Sequence, residues 1–288
     1  MNNLLMNSLF RTTSLLLRAT LLALISASSS TQAASGTAVS NTPNSDTFNL
    51  SMGGFVLENI RTSMRLDDSG GQVGDIVDFA KTLGGEDRLN VFRADAEWRF
   101  AARHRVQAAY FDINMSASTT LNADLNWGDE VYPVNARVVS GLRNTTYKLS
   151  YAYSFYRTYR QEIAGQIGAH VTRFEANIGL PDRGKREGAS VTAPIPVIGL
   201  EWRAKLSEKF FSQVSYQYFS VSLQEDKYSG DLSDFLAVMN YRLGRHWYIG
   251  GGYNYYVLNA DLKSSSSAVK LVVKHEYNGF IGHVGARF

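Results

Sequence analysis

The feature that most constrains this chain is a period of two in its hydrophobicity, which recurs from about residue 47 to the C-terminus. The segment 92–100 has one apolar and one charged face. The apolar face carries Phe92, Ala94, Ala96, Trp98 and Phe100, and the charged face carries Arg93, Asp95, Glu97 and Arg99. Side chains of a β-strand point alternately to opposite faces. The pattern therefore predicts a sheet whose two faces meet different surroundings.

Ten segments of this kind predict ten strands, at 48–56, 92–100, 105–110, 146–155, 162–171, 198–205, 213–218, 234–243, 249–255 and 280–288. Short connections near 101–103, 157–159, 207–208 and 244–245 alternate with longer polar ones at 67–86, 179–190, 224–229 and 262–267. An even number of strands with alternating short and long connections is typical of an antiparallel up-and-down transmembrane β-barrel. We expect an all-β barrel of about ten strands, with eight or twelve as alternatives.

The composition favours a membrane barrel over a bundle of membrane helices. No stretch in the body of the chain reaches the roughly 18 apolar residues of a membrane helix. Aromatic residues make up 12% of the chain and charged residues 19%. Only alternate residues of a membrane barrel face lipid, so its overall hydropathy is modest. A soluble β-sandwich or barrel has a similar composition, and the decision rests on other features.

The N-terminus predicts export. Residues 1–34 hold two basic residues, Arg11 and Arg18, and no acidic residue, and an apolar core at 19–27 leads to Ala33 and Ala34. This is the pattern of a cleaved secretory signal peptide. We therefore expect a signal peptide at 1–34, a flexible periplasmic leader at 35–46 and the barrel domain at 47–288. The chain has no cysteine, so its stability does not depend on disulfides.

Aromatic residues gather beside the predicted short turns. Amphipathic rings prefer the boundary between lipid and water, so this placement predicts an aromatic girdle on the periplasmic side. The residues are Trp98, Phe100, Phe155, Tyr156, Tyr159, Trp202, Phe210, Phe211, Tyr241, Trp247, Tyr248 and Phe288. A girdle on the apolar face means that this face meets acyl chains. The charged face then points into the barrel.

The inward charges are the candidate site. The predicted lumen-lining residues are Arg93, Asp95, Glu97, Arg99, Lys148, Glu201, Arg203, Lys205 and Arg242. They have two interpretations, a packed network that fills a narrow barrel or the lining of a water-filled pore. Including Arg105, Arg287, Glu162 and Asp234, basic residues outnumber acidic ones by eight to five, and an open pore would then prefer anions.

The last strand carries a family resemblance. In residues 280–288 every second residue is small or apolar, and the segment ends on Phe288. This segment resembles the C-terminal strand of Gram-negative outer-membrane β-barrels, in which the final phenylalanine is read by the assembly machinery. Segments 193–200 and 241–254 look like strands and turns of small porin-like members. The resemblance implies an outer-membrane location, with Phe288 as assembly signal and the barrel assembly machinery, outer-membrane lipids and lipopolysaccharide as partners.

Three functions follow, in order of preference: a small porin or passive channel for hydrophilic solutes, a non-conducting structural or adhesive barrel acting through its loops, and a lipid-modifying enzyme. No catalytic motif is found, and neither a metal or cofactor nor a nucleic-acid partner is expected. His170 and His275 are the residues an enzyme would use. Carboxylates like those of the first long loop can bind a divalent cation, but their spacing fits no EF-hand, and we expect a solvated acidic loop. Its Ile76, Phe79, Ala80 and Leu83 recur at helical spacing, which predicts a short helix or a loop with buried anchors.

Overall fold

The computed structural model describes residues 46–67, 70, 72–127, 130–181, 185–223, 228–263 and 270–288. The predicted signal peptide, and the predicted leader up to residue 45, lie outside the described residues. The strands are β1 (Phe48–Leu66), β2 (Val77–Asp78), β3 (Leu89–Ala101), β4 (His104–Thr120), β5 (Leu125–Trp127), β6 (Glu130–Tyr132), β7 (Arg137–Arg157), β8 (Gln161–Leu180), β9 (Lys185–Lys205), β10 (Phe210–Leu223), β11 (Tyr228–Arg242), β12 (Trp247–Lys263) and β13 (Lys270–Arg287). In this part of the chain no helix is long and apolar enough to cross a membrane.

Ten of the strands close into one antiparallel barrel. Their order around the wall is β1, β3, β4, β7, β8, β9, β10, β11, β12 and β13, and β13 pairs back onto β1. Strands that follow each other along the chain are neighbours, apart from the small β2 and the β5–β6 hairpin in two long connections. The prediction of a ten-stranded up-and-down barrel is confirmed. Near the short turns closure pairs every strand with two neighbours, as a membrane-spanning sheet requires. Toward the long connections β9 and β10 pair only as far as Ile198 with Tyr218, and β3 and β4 only as far as Arg93 with Phe111.

The apolar face of the wall points outward at the end with the short turns. Trp98 is 48% exposed and Met239 50% exposed, whereas Arg93 is only 4% exposed. A soluble barrel has the opposite arrangement, with its apolar side chains in the centre. The predicted orientation, with apolar side chains toward lipid, is therefore correct.

The long strands reverse this arrangement partway along, and β8 shows the change clearly. Its outer face turns from apolar to polar, and its inner face turns from polar to apolar. From the short-turn end, the outer residues are Ile163, Ile167, Val171, Arg173 and Glu175. The inner residues are Glu162, Gln166, His170, Phe174 and Ile178. The same wall thus has membrane-protein polarity at one end and soluble-protein polarity at the other.

The reversal marks the outer surface of the bilayer. A tilted strand of about 9–11 residues crosses a membrane, and β7 and β9 each contain 21 residues. Tyr110 and Tyr147 contact each other on the outer wall at the transition, with ring centroids 5.1 Å apart and ring planes tilted by 40°. The remaining part of each long strand projects beyond the bilayer on the long-loop side. There it encloses a dry apolar core as a soluble barrel does.

Several predicted strands stop short of the observed ones for this reason, and two examples show it. The segment 179–190, predicted as a long loop, is mostly strand, because β8 and β9 pair as far as Leu180 and Lys185. The predicted strand 105–110 continues to Thr120 as β4. Both predictions followed apolar residues on the lipid-facing side. Above the bilayer the apolar residues occupy the opposite side of the strand, and the pattern therefore appeared to stop.

The first long connection carries buried anchors instead of a helix. After β2, residues 79–83 form a turn, and Phe79 and Leu83 are buried. The Asp78 carboxylate accepts hydrogen bonds from the backbone N–H groups of Ala80 at 3.1 Å and Lys81 at 2.9 Å. Of the two predicted arrangements, the loop with buried anchors is the one observed. It packs into the extracellular core of the barrel.

The reversal predicts that a lysine on the outer wall destabilises the barrel at one height and is tolerated at another. Leu149→Lys, inside the lipid-facing band, should reduce the free energy of unfolding by about 2–4 kcal/mol, because the ammonium would meet acyl chains. Ser116→Lys, on the exposed outer face of β4 beyond the band, should change it by less than about 0.5 kcal/mol. Denaturant unfolding in lipid vesicles measures both. Equal losses for the two variants would contradict the assigned membrane boundary.

Candidate functional site

A charged layer fills the bore near the short turns, and Glu201 on β9 lies at its centre. The Glu201 carboxylate is 2.8 Å from Nη2 of Arg105 and 2.7 Å from Nε of Arg203. Arg203 also donates to both carboxylate oxygens of Glu97. The other oxygen of Glu201 accepts hydrogen bonds from three amides, those of Gln107, Gln166 and Gln213, at 2.8, 3.0 and 3.0 Å. A carboxylate buried this deeply is tolerated only with such a full set of partners.

A second contact in this layer crosses the bore. Arg99 on β3 donates to both oxygens of Glu162 on β8, each at 3.0 Å, and Ser154 donates to the same carboxylate. Two strands, β4 and β7, separate β3 from β8 in the wall. Two parallel hydrogen bonds fix the relative orientation of the two groups as well as their distance. The pair therefore holds opposite parts of the barrel at a set separation.

A second charged layer lies higher in the bore. Nζ of Lys148 on β7 is 2.5 Å from Oδ2 of Asp234 on β11, and the Asn254 amide donates to Oδ1 of the same carboxylate at 2.7 Å. Arg93 donates to Asp95 two residues along β3, at 2.7 Å. Its Nη1 also reaches the Asn254 side-chain oxygen at 3.5 Å. Every charge in this layer thus has a partner of opposite sign.

Four rings, which we call the aromatic roof, close the bore above the charged layers. They are Phe55, Phe111, Tyr256 and Tyr277, each no more than 1% exposed. Tyr256 and Tyr277 stack with ring centroids 4.9 Å apart, and Phe55 contacts Phe111 edge-on with ring centroids 6.2 Å apart. The cations of Arg93 and Lys148 lie 5.8 and 5.3 Å from the centre of the Phe111 ring. Cation–π attraction therefore joins the roof to the charges beneath it.

Above the roof the bore remains filled. Buried apolar side chains from the wall continue the core, among them Leu57, Ile113, Leu142, Phe174 and Ile178. The long connections add Val77, Phe79, Leu83, Leu125, Trp127 and Tyr132 to the same cluster. Asp75 links two of these connections, since its carboxylate accepts a hydrogen bond from the backbone N–H of Asn126 at 2.7 Å. The extracellular half is thus a packed core that is mainly hydrophobic.

Beneath the roof one side of the bore holds a polar cavity of about 160 Å³. It extends from Lys148 and Asp234 down to Asp46 and Arg287 at the strand ends on the short-turn side. A volume of this size accommodates about five water molecules at about 30 Å³ each. Gly250 leaves space on this wall for the 2.7 Å hydrogen bond between His283 and Asn240. We call this space the periplasmic cavity.

The nine predicted lumen residues do not all lie together. Seven of them are in the two charged layers: Arg93, Asp95, Glu97, Arg99, Lys148, Glu201 and Arg203. Lys205 instead turns toward the β9–β10 turn, where its ammonium is 2.6 Å from Glu208. Hydrogen bonding to Lys205 lowers the pKa of the Glu208 carboxyl. Arg242 is half-buried at the end of β11. That these residues form a functional site stays a prediction.

The predicted aromatic girdle is largely outside, with two corrections. Phe100, Phe155 and Trp247 are exposed on the outer wall. Phe211 and Tyr248 instead face inward and contact each other, with ring centroids 5.4 Å apart. Each follows an outward-facing aromatic residue, so strand alternation places it on the opposite face. For these two residues, odd or even position along the strand predicts the direction of the side chain better than closeness to a short turn does.

Sequence reasoning missed the glutamines and the roof. Gln107, Gln166 and Gln213 share the parity of the inward charges and could have been identified from it. The roof residues Tyr256 and Tyr277 lie just where the polarity of the wall reverses. The sequence pattern was defined by apolar residues on the lipid-facing side of each strand. Tyr256 and Tyr277 are aromatic residues on the opposite, inner side, so this pattern did not identify them.

The two candidate histidines are buried in the bore. Nε2 of His170 is 2.7 Å from the Gln217 side-chain oxygen. His275 lies above the roof, with Nδ1 2.8 Å from the Thr62 hydroxyl and Nε2 2.8 Å from the Asn144 amide nitrogen. The His275 ring is engaged by neutral side chains, whereas Nε2 of His170 also lies 3.9 Å from the Asp234 carboxylate. Neither ring is more than 1% exposed. This geometry is that of packed, hydrogen-bonded interior residues.

Comparison with known proteins identifies the fold. No protein-family model matches the chain, and no curated protein matches its sequence. The outer membrane protease OmpT from Escherichia coli is 10% identical over 84% of this chain and 96% of its own, with a TM-score of 0.53. Two weaker matches are Ail from Yersinia pestis, in complex with a heparin analogue, and the transport unit of the autotransporter AIDA-I from Escherichia coli. Ail is 12% identical over 81% of this chain and 97% of its own, with a TM-score of 0.32. The AIDA-I unit is 10% identical over 87% and 92%, with a TM-score of 0.43.

The likeness to OmpT shows a shared fold and does not carry proteolysis to this chain. Together with the lipid-facing band it supports one location. An inside-out barrel that closes around its lipid-facing band, with the fold of Gram-negative outer-membrane β-barrels, belongs in the bacterial outer membrane.

The charged layer near the turns predicts that substitutions of two glutamates differ strongly in their effect on the free energy of unfolding. Glu201→Gln leaves Arg105 and Arg203 without their shared partner and should cost about 3–5 kcal/mol of unfolding free energy. Glu175→Gln breaks an exposed pair with Arg173 and should cost no more than about 1 kcal/mol. Guanidinium unfolding in lipid vesicles, followed by tryptophan fluorescence, measures the two. Similar small losses in both variants would show that the interior layer does not support the barrel.

Proposed function

We propose that this protein is a non-conducting outer-membrane barrel that displays a rigid, protein-filled stalk and its loops at the cell surface. One observation supports this proposal above the others: the aromatic roof and the core above it fill the bore. A water-filled channel requires a continuous polar path, and ions crossing an apolar layer lose their hydration. The proposal replaces the passive channel that the sequence alone favoured.

The pairing of the interior charges supports the same function. The predicted anion preference depends on an excess of unpaired positive charge in the lumen. Arg93, Arg99, Lys148 and Arg203 instead each hold a carboxylate within hydrogen-bonding distance. Mutually neutralised charges hold a wall together and give little field for selecting a solute. Their role in this proposal is structural.

Conductance tests the closed bore. Purified protein inserted into planar bilayers should give no discrete current steps, because the roof interrupts every aqueous path. Insertion is checked by the shift in gel mobility between folded and heated protein. Regular steps from the folded form, with a reversal potential in a salt gradient, would instead establish the channel function.

We propose lipopolysaccharide as the partner of the outer wall. Arg143 and Arg173 lie on adjacent strands just above the lipid-facing Tyr147 and Val171. Arg143 is held by Asp112 at 2.8 Å, and Arg173 by Glu175 at 2.6 Å. Both guanidinium groups are exposed at the height where lipid phosphates and the first sugars lie. The neighbouring cleft has hydrogen-bonding side chains suited to sugars: Asn114, Arg143, Glu175, Asn177 and Ser190.

The two arginines are tested together. Added lipopolysaccharide should raise the Tm of the wild-type protein in detergent, and Arg143→Ala with Arg173→Ala should remove most of that increase by deleting two phosphate contacts. Arg137→Ala, at the distal end of β7, is the matched control and should keep the increase. A double variant that responds like the wild type would exclude this surface as the lipopolysaccharide contact.

A further inference from the structure

The periplasmic cavity presents its carboxylates more openly than its cations. In the Arg93–Asp95 pair the arginine side chain is 5% exposed and the aspartate 36%. In the Arg287–Asp46 pair the values are 8% and 32%. The other two pairs on the lining, Lys148–Asp234 and Arg203–Glu97, are buried about equally on both sides. A molecule in the cavity therefore meets acidic groups first, with the basic groups behind them.

Neutral hydrogen-bonding groups share the cavity lining with the more accessible of these carboxylates. Asp95 pairs in register with Ser51 on β1. Ser51, Gln213 and Ser215 also line the cavity, and each offers a side-chain oxygen. Phe211 and Tyr248 supply aromatic wall near the strand ends. One accessible carboxylate, neutral oxygens and aromatic surface form the environment that suits an alkylammonium group.

The composition of the cavity favours an organic cation over a metal ion. Within the described ranges no three acidic or histidine side chains come together as a metal site would require. The volume of about 160 Å³ corresponds to about five waters. A ligand of about five non-hydrogen atoms is the size that would displace them. The cavity ends at the short-turn side of the barrel, so such a ligand would enter from the periplasm.

We propose that the periplasmic cavity is a binding site for a small primary amine, with Asp95 as its counter-ion. The ammonium donates to the Asp95 carboxylate and to neighbouring side-chain oxygens, and the alkyl chain lies against the aromatic wall. The site ends beneath the aromatic roof, so it binds the amine without passing it across the membrane. Amine binding can be tested separately from the closed bore, because binding is measured at equilibrium in detergent micelles and conductance is measured in bilayers.

The probe is n-butylammonium, which has five non-hydrogen atoms. Titrated into isotope-labelled protein, it should shift the NMR resonances of Ser51 and Gln213 with saturation at a dissociation constant of about 1 mM, the order available to so small a ligand. Butyrate, the anionic analogue, should produce no saturable shift. Asp95→Asn should raise the amine dissociation constant about tenfold, the weight of one charge-assisted hydrogen bond.

The matched control is Asp112→Asn, which removes an aspartate–arginine pair from the outer wall instead of the cavity. It should bind n-butylammonium like the wild type. Asp95→Glu keeps the charge and should retain binding, which separates loss of the counter-ion from loss of the fold. The proposal is overturned if the wild type shows no saturable shift, if butyrate binds as well as the amine, or if Asp95→Asn binds with unchanged affinity.

Discussion

The seam between β1 and β13 is the contact on which the rest of the structure depends. In lipid an unpaired backbone N–H or C=O costs several kcal/mol, so an open sheet cannot span the bilayer. Here the first and last strands pair from Asn49 with Arg287 to Leu66 with Leu271. The terminal Phe288 extends the seam, since its N–H donates to the Phe48 carbonyl at 2.9 Å and its own carbonyl accepts from Phe48 at 3.0 Å. Closure then fixes which side chains face the bore, and strand alternation assigns every other residue to lipid.

The same barrel wall meets two solvents along its length. In the bilayer the medium outside is apolar, and polar groups have to turn inward and pair with one another. Beyond the bilayer the medium is water, and hydrophobic burial acts inward as in any soluble barrel. β1 changes register between Glu58 and Arg61, near this transition, where Asn59 adopts a positive φ of 51°. A bulge shifts the strand by one residue without breaking the wall, and Ile60 and Thr62 then face inward beyond it.

The sequence was sufficient for architecture and for the choice of face, and insufficient for partners across the bore. Alternation separated Arg93 and Glu201 from Trp98, because a period of two has only two phases, and the aromatic girdle then assigned the charged face to the inside. It did not indicate that Arg99 meets Glu162, 63 positions away, or that Lys148 meets Asp234, 86 positions away. Such pairs depend on how far each strand is staggered against the next around the barrel. The filled bore was equally hidden, because roof residues such as Tyr277 become recognisable only when the reversal of polarity is known.

The interior charges also have a consequence for how the wall forms. A membrane barrel with an apolar bore would have two apolar faces, and a one-residue slip in strand pairing would then cost little. With Glu201 and Arg203 on one face of β9 and Leu200 and Trp202 on the other, the same slip would expose two charges to acyl chains. We infer that the buried network serves register more than stability, since buried ion pairs often give little net stabilisation over apolar packing. Above the bilayer, where water on the outer face already distinguishes the two sides, the bore has no need of charges and is packed with Phe174, Ile178 and their neighbours.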